Sequence, residues 1–90
     1  PINIPNSVTQ LIFGFSFNNS VVFENESNLK YLAFERSFNQ PIIIPNSVEH
    51  LQFKDNFNQP IILPNCLKRL TFGDNFDQPL IIPNHIEHLE

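Results

Sequence analysis

Apolar positions recur along this chain in one short signature, V/L/I-x-x-L-x-F, at residues 8–13, 29–34, 48–53 and 67–72, and it begins again at Ile86. Residues two apart on a strand point to the same side, and the residue between them points away. The pattern therefore predicts a short strand in each copy, with buried pairs Leu11/Phe13, Leu32/Phe34, Leu51/Phe53 and Leu70/Phe72. Between these strands lies a second apolar run of the form P-I-I-I-P, as at 41–45. Its prolines exclude a helix, and their missing N–H groups predict an extended or polyproline-like return rather than a continuous central strand. The middle column of the return reads Asn3, Val22, Ile43, Ile62, Ile81. Asn3 marks it as outward-facing. The flanking columns Val21/Ile42/Ile61/Leu80 and Phe23/Ile44/Leu63/Ile82 are then assigned to the core.

These runs belong to a repeat. Residues 38–56 read FNQPIIIPNSVEHLQFKDN, residues 57–75 read FNQPIILPNCLKRLTFGDN, and 76–90 open another copy. Phe38, Phe57 and Phe76 are spaced by 19 residues, and the step from Phe17 to Phe38 is 21. A period near 20 makes each copy a unit that buries its apolar face only against its neighbours. The chain reads as a single array, 1–90, of a partial copy 1–16, whole copies 17–37, 38–56 and 57–75, and a partial copy 76–90. It starts and stops inside a copy and has no initiating Met, so the expectation is a fragment of a longer protein. The fold class expected is all-β or nearly so: a right-handed solenoid of leucine-rich-repeat type, with one parallel sheet and extended Pro-rich returns. Helix is disfavoured by the recurring prolines and by the lack of an i, i+3, i+4, i+7 stripe.

Polar residues fill the remaining roles. Asn6, Asn46, Asn65 and Asn84 follow the second proline, while Asn18, Asn39, Asn58 and Asp77 follow the leading Phe. Stacked amides at such turns are expected to bond from coil to coil, and Asp77, unable to donate, is expected to weaken one rung. Phe17, Phe38, Phe57 and Phe76 are expected to stack as an internal aromatic column. In copy 17–37 the segment from Glu24 to Ser27 carries two extra residues and is expected to bulge as a polar loop. With no polar cap at either end, Ile2, Ile4 and Ile82 are expected to be more exposed than Ile44 and Leu63.

Composition narrows the function. Charged residues make up 16% of the chain and the formal net charge is −4. There is no basic stripe, which argues against nucleic acid and anionic membrane surfaces, and no apolar run reaches the ~18 residues of a membrane span. The single Cys66 has no internal disulfide partner and fits a reducing compartment. Asn18-Asn19-Ser20 and Asn25-Glu26-Ser27 match the glycosylation sequon, a match expected by chance in an Asn-rich chain.

The outward sheet positions are where the copies differ in chemistry. One column, Thr9, Lys30, Glu49, Lys68, Glu87, alternates in sign and reads as register and solubility. A second is Gln10, Tyr31, His50, Arg69, His88, and a third is Ile12, Ala33, Gln52, Thr71, Glu90. Tyr and Arg are favoured interface anchors, so Gln10, Tyr31, His50, Arg69, His88, Gln52 and Thr71 form the candidate partner-binding face. His50 and His88 lie two coils apart, about 9.6 Å by strand spacing, too far for one zinc ion at about 2.1 Å per bond. His85 and His88 lack a Cys or carboxylate cluster. No metal, no cofactor and no catalytic constellation is assigned, and Cys66 has no activating partner beyond a distant His85.

Phe38-Asn39…Ile44-Pro45, Phe57-Asn58…Leu63-Pro64 and Phe76-Asp77…Ile82-Pro83 resemble the FNIP repeat, typical of social amoebae and of giant viruses of amoebae, mimivirus in particular. The V-x-x-L-x-F core resembles the strand segment of leucine-rich repeats. The likeness covers nearly the whole chain, strongest in 38–90 and weakest in 17–37. Family repeats run to about 22 residues, so the shorter copies here imply a tighter convex side. The resemblance implies a protein-interaction module in the host or cell cytoplasm, and, since relatives often carry an F-box, the substrate-recruiting part of a ubiquitin-ligase adaptor. No F-box lies in these residues. The alternative is a structural spacer or assembly element that uses the outer apolar column or associates end to end through its open coils. On this reading, circular dichroism should show β and extended signal with almost no helix; a helical content near the ordinary one third would contradict it.

Overall fold

The computed structural model describes residues 2–24, 26–80, 82 and 86–89. Seven short strands follow in order: β1 (Ile2–Ile4), β2 (Gln10–Phe13), β3 (Val21–Phe23), β4 (Tyr31–Phe34), β5 (His50–Gln52), β6 (Arg69–Thr71) and β7 (His88–Leu89). Among the described residues there is no helix. Strands β2-β4-β5-β6-β7 form one parallel sheet. Its register is that of the repeat: Gln10, Tyr31, His50, Arg69 and His88 lie side by side, as do Leu11, Leu32, Leu51, Leu70 and Leu89. The chain is an all-β solenoid of leucine-rich-repeat type.

Two extra backbone bonds lock each strand onto the coil before it. The carbonyl of Lys30 accepts from the N–H groups of both Glu49 and His50, at 2.9 and 3.0 Å, and that of Glu49 accepts from Lys68 and Arg69, at 2.8 and 3.0 Å. A sharp turn after each strand is closed by the leading Phe: the N–H of Phe57 donates to the Lys54 carbonyl, and that of Phe76 to Gly73. The turn folds the leading Phe under the Phe that ends the strand signature. Ring centroids of Phe34 and Phe38 are 3.9 Å apart, and those of Phe53 and Phe57, and of Phe72 and Phe76, are each 3.8 Å apart. Between coils, Phe34 stacks on Phe53 at 5.4 Å and Phe38 on Phe57 at 5.9 Å. The expected column of leading phenylalanines is thus stacked against the column of strand-signature phenylalanines. Phe34, Phe38, Phe53 and Phe57 are fully buried with Leu29, Leu32, Leu51, Leu67, Leu70 and Val48.

The returns complete the core as expected: Val21, Ile44 and Leu63 are buried, while Val22, Ile43 and Ile62 point outward. Ile81, Pro83 and Asn84 lie outside the described residues. One difference concerns the first two coils, whose returns pair as β1 and β3. The reason is chemical. Glu24 occupies the place of Pro45, and its N–H donates to the Ile4 carbonyl at 3.3 Å, which a proline could not do. Ile2 and Ile82 are exposed, but Ile4 is not: at 8% it matches Ile44 at 6% and Leu63 at 9%. Its side chain faces inward, where the second coil covers it.

The extra residues of copy 17–37 are not a free bulge. The Glu24 carboxylate accepts from the Asn6 N–H at 3.0 Å, and the backbone and side-chain N–H groups of Asn28 both donate to the Asn6 carbonyl. Both ends of the segment are therefore tied to the preceding coil. Glu26 pays for the geometry with φ = 60°, a left-handed conformation that costs a non-glycine residue roughly 1 kcal/mol. Asn25 lies outside the described residues.

The asparagine rungs also differ from expectation. Among the described residues they belong to the set after the leading Phe, and the oxygen carries them. Asn39 Oδ1 accepts from the Asn58 N–H at 2.9 Å and from Gln59 Nε2 at 3.1 Å. Asn18 and Asn58 do the same for Asn39 with Gln40 and for Asp77 with Gln78. A carboxylate offers the same acceptor, so Asp77 does not weaken the rung below it, where its backbone N–H is the donor. The glutamines of the F-N-Q-P run were the missed partners.

Two predictions follow from this packing. Phe53→Ala should cost about 3–5 kcal/mol in urea unfolding, whereas Phe15→Ala, at a 69% exposed position, should change it little. Asn39→Asp should cost less than Asn39→Ala, because only the second strands both donors; an Asp variant as destabilised as the Ala variant would show that the amide nitrogen matters after all.

Candidate recognition face

The five-stranded sheet presents its outward side chains in rows across the strands. Parallel pairing in register fixes the row order, and the buried Leu and Phe behind it hold the backbone still. Gln10, Arg69 and His88 are exposed, and Tyr31 and His50 are half-buried. All five predicted members of this row are brought together. Tyr31 and His50 are in ring contact, with centroids 4.6 Å apart and planes tilted by 41°. That contact could have been anticipated from the spacing, since both rings occupy the same repeat position.

The third column is only partly available. Gln52 and Thr71 are half-buried and Ile12 is 55% exposed, but Ala33 is 4% exposed rather than facing solvent. Its lone methyl sits in register between the larger Ile12 and Gln52, which leave it no access. Glu90 and His85 lie outside the described residues. The charge column forms the pair Lys30 Nζ–Glu49 Oε2 at 3.7 Å. Beside the sheet, Arg36–Asp55 at 3.7 Å and Lys54–Glu35 at 3.6 Å bridge successive turns, pairs that sequence reasoning missed because they lie off the strands. Such exposed pairs contribute little stability; they order the rim of the face.

His50 is held below its ordinary value of 6.5, first by burial and then by the positive charge of Arg69 and by His88. Among the described residues no group of His, Cys, Asp and Glu is arranged to hold a metal ion, and Cys66 is an exposed free thiol. The opposite face carries an apolar row, Val22 at 50%, Ile43 at 88% and Ile62 at 90% exposure. With Pro41, Pro60 and Pro79 it borders a groove of about 1190 Å³.

The depressed His50 value fixes the sign of a pH effect. Above pH 6.5 the imidazole is neutral whether the chain is folded or not, and its contribution is complete. As pH falls below 6.5 the unfolded chain takes up a proton that the fold resists, so stability is lost until the folded-state value is passed. The urea midpoint should therefore drop between pH 7.5 and 5.5, and the drop should shrink in His50→Asn. An unchanged drop in that variant would assign the effect to another group.

The FNIP repeat matches residues 27–56, 38–65 and 57–90. A solved structure described as a novel circular LRR protein, CroV588, is similar to the chain with 29% sequence identity and a TM-score of 0.49, over 96% of this chain and 24% of that one. The chain thus spans about a quarter of that protein's length. No curated protein matches it. With the repeat motif matched across well over half of its residues, the chain belongs to the FNIP repeat family.

Proposed function

We propose that the chain is a protein-recognition module that reads its partner with the open face of the five-stranded sheet. The observation that carries this reading is the row Gln10, Tyr31, His50, Arg69, His88 on a scaffold whose other positions nearly repeat. Inward positions are constrained by packing, whereas outward ones can change with little effect on the core. Side chains on paired strands about 4.8 Å apart form a rigid row, which lowers the ordering cost of binding. Tyr31 supplies an aromatic face and Arg69 a fork of donors. In a longer protein that carries an F-box, such an array would be the substrate-recruiting arm of a ubiquitin-ligase adaptor acting in the cytoplasm, of the host if the protein is viral.

A second reading rests on the exposed Ile43 and Ile62, which suit a spacer or an assembly element that buries the return face. The two are separated by binding measurements on partners captured from amoebal lysate. Tyr31→Ala and Arg69→Ala should each weaken binding about fivefold or more, roughly 1 kcal/mol, with the fold unchanged, and Ile43→Ser should leave it nearly intact. The reverse pattern would move recognition to the return face.

A further inference from the structure

We infer that the partner of this face is an acidic protein segment, whose carboxylates are held at Arg69 between His50 and His88. The inference rests on the sheet-face reading above and names what that face recognises.

Three observations converge on Arg69. It is exposed and fourth of the five in the row, with His50 in register on one side and His88 on the other. None of the three ion pairs formed among the described residues uses its guanidinium. Its nearest row neighbours are two imidazoles and, beyond His50, the ring of Tyr31, so the row itself holds no carboxylate. A guanidinium flanked in this way has donors to offer and no acceptor to take them, and a planar carboxylate accepts two parallel bonds from it. The His50 imidazole beside it adds a further donor when neutral and charge when protonated.

The neighbouring groups select protein over nucleic acid. The column beside the row places Lys30, Glu49, Lys68 and Glu87 just before successive strands, and the whole chain has a formal net charge of −4. A phosphate backbone laid along the sheet would meet Glu49 and Glu87 as well as the cations. A segment bearing one or two carboxylates can instead settle on Arg69 alone.

The same neighbours set the pH response. Around His50 are Tyr31 on β4, its own neighbour Glu49 with Lys30 beside it, Arg69 on β6 with Lys68 just before it, and His88 on β7 with Glu87 just before it. His50 resists protonation in the free protein first because it is partly buried and then because the positive charges of Arg69 and His88 repel the proton. A bound carboxylate offsets that repulsion and raises the proton affinity of the imidazole. By linkage, affinity for the acidic segment rises as the pH falls.

The test titrates the labelled chain with an acetylated, amidated eight-residue peptide alternating Glu and Ser, with its Gln-for-Glu counterpart, and with a single-stranded RNA of random sequence. Saturable NMR shifts are expected at Arg69, His50 and His88. The Gln peptide should bind at least tenfold more weakly, and the Glu peptide should tighten at least threefold from pH 7.5 to 5.5. Arg69→Gln, at an exposed position, should abolish binding while Ile43→Ser retains it. Equal binding of the Gln peptide, or no saturable binding of the Glu peptide, overturns the inference. Tighter, Arg69-dependent binding of the RNA overturns it in favour of nucleic acid. Selection from a displayed random-peptide library separates the two levels of failure. Binders that are lost on Tyr31→Ala but carry no excess of Asp or Glu leave the sheet-face reading standing and remove the acidic partner. Binders lost on Ile43→Ser and indifferent to Tyr31→Ala and Arg69→Gln remove both.

Discussion

A coil of 19 residues cannot enclose its own apolar side chains, so every coil depends on meeting the next one in register. The stacked phenylalanines enforce that register most strongly. Phe34 and Phe38 close one coil by stacking across its turn, and Phe53 and Phe57 do the same in the next. Each pair then lies flat against the pair of the neighbouring coil, with interplanar angles of 3° and 5°. A slip of one residue would take a strand's Leu and Phe out of the core and replace them with polar neighbours. The turn, the paired strand and the return all inherit their positions from this double column.

Polar groups are fitted around that constraint. The turn after each leading Phe leaves a backbone N–H pointing at the coil below, and an asparagine oxygen from that coil meets it. The glutamine that follows adds a second donor to the same oxygen. Where prolines remove the donors of the return, the segment stays extended and unpaired; where Glu24 restores one, its N–H donates to the Ile4 carbonyl, the Ser20 carbonyl accepts from the Ile2 N–H, and the returns pair as β1 with β3. The same logic absorbs the two additional residues of copy 17–37. Glu24 and Asn28 satisfy Asn6 from either side, so the irregular copy keeps its neighbours in register despite its length.

Counting positions made most of this legible. The period located the strands, and alternation within V-x-x-L-x-F told inside from outside, so the Leu and Phe columns and the row from Gln10 to His88 could be read directly. What the pattern could not convey was atomic choice. It showed stacked amides, but not that the oxygen does the bonding, and so not that a carboxylate offers the same acceptor. It treated Ala33 as outward because of its position, although a methyl between two long side chains has no surface to show. It judged Ile4 by its place near the end of the array, whereas burial is decided by the one neighbouring coil that covers its inward side. The Glu24 segment was misread for a similar reason: surplus length suggests a loop, and only the geometry reveals that its side chain has a backbone partner.

The two faces of the solenoid differ in what the same scaffold can do for them. On the return face, Ile43 and Ile62 offer apolar surface on segments flanked by prolines and Val22 on the paired β3, and among the described residues backbone pairing of the returns is confined to β1 and β3. On the sheet face, Tyr31, His50 and Arg69 stand on strands paired on both sides and backed by the buried Leu32, Leu51 and Leu70. Polar recognition profits most from such support, since a hydrogen bond is sensitive to distance and angle whereas apolar contact is not directional. Placing Arg69 and its flanking imidazoles on the rigid face and aliphatic groups on the looser one therefore matches each chemistry to the support it requires. That correspondence favours the sheet as the surface that discriminates between partners, and it leaves the return face suited to contacts that need area more than geometry.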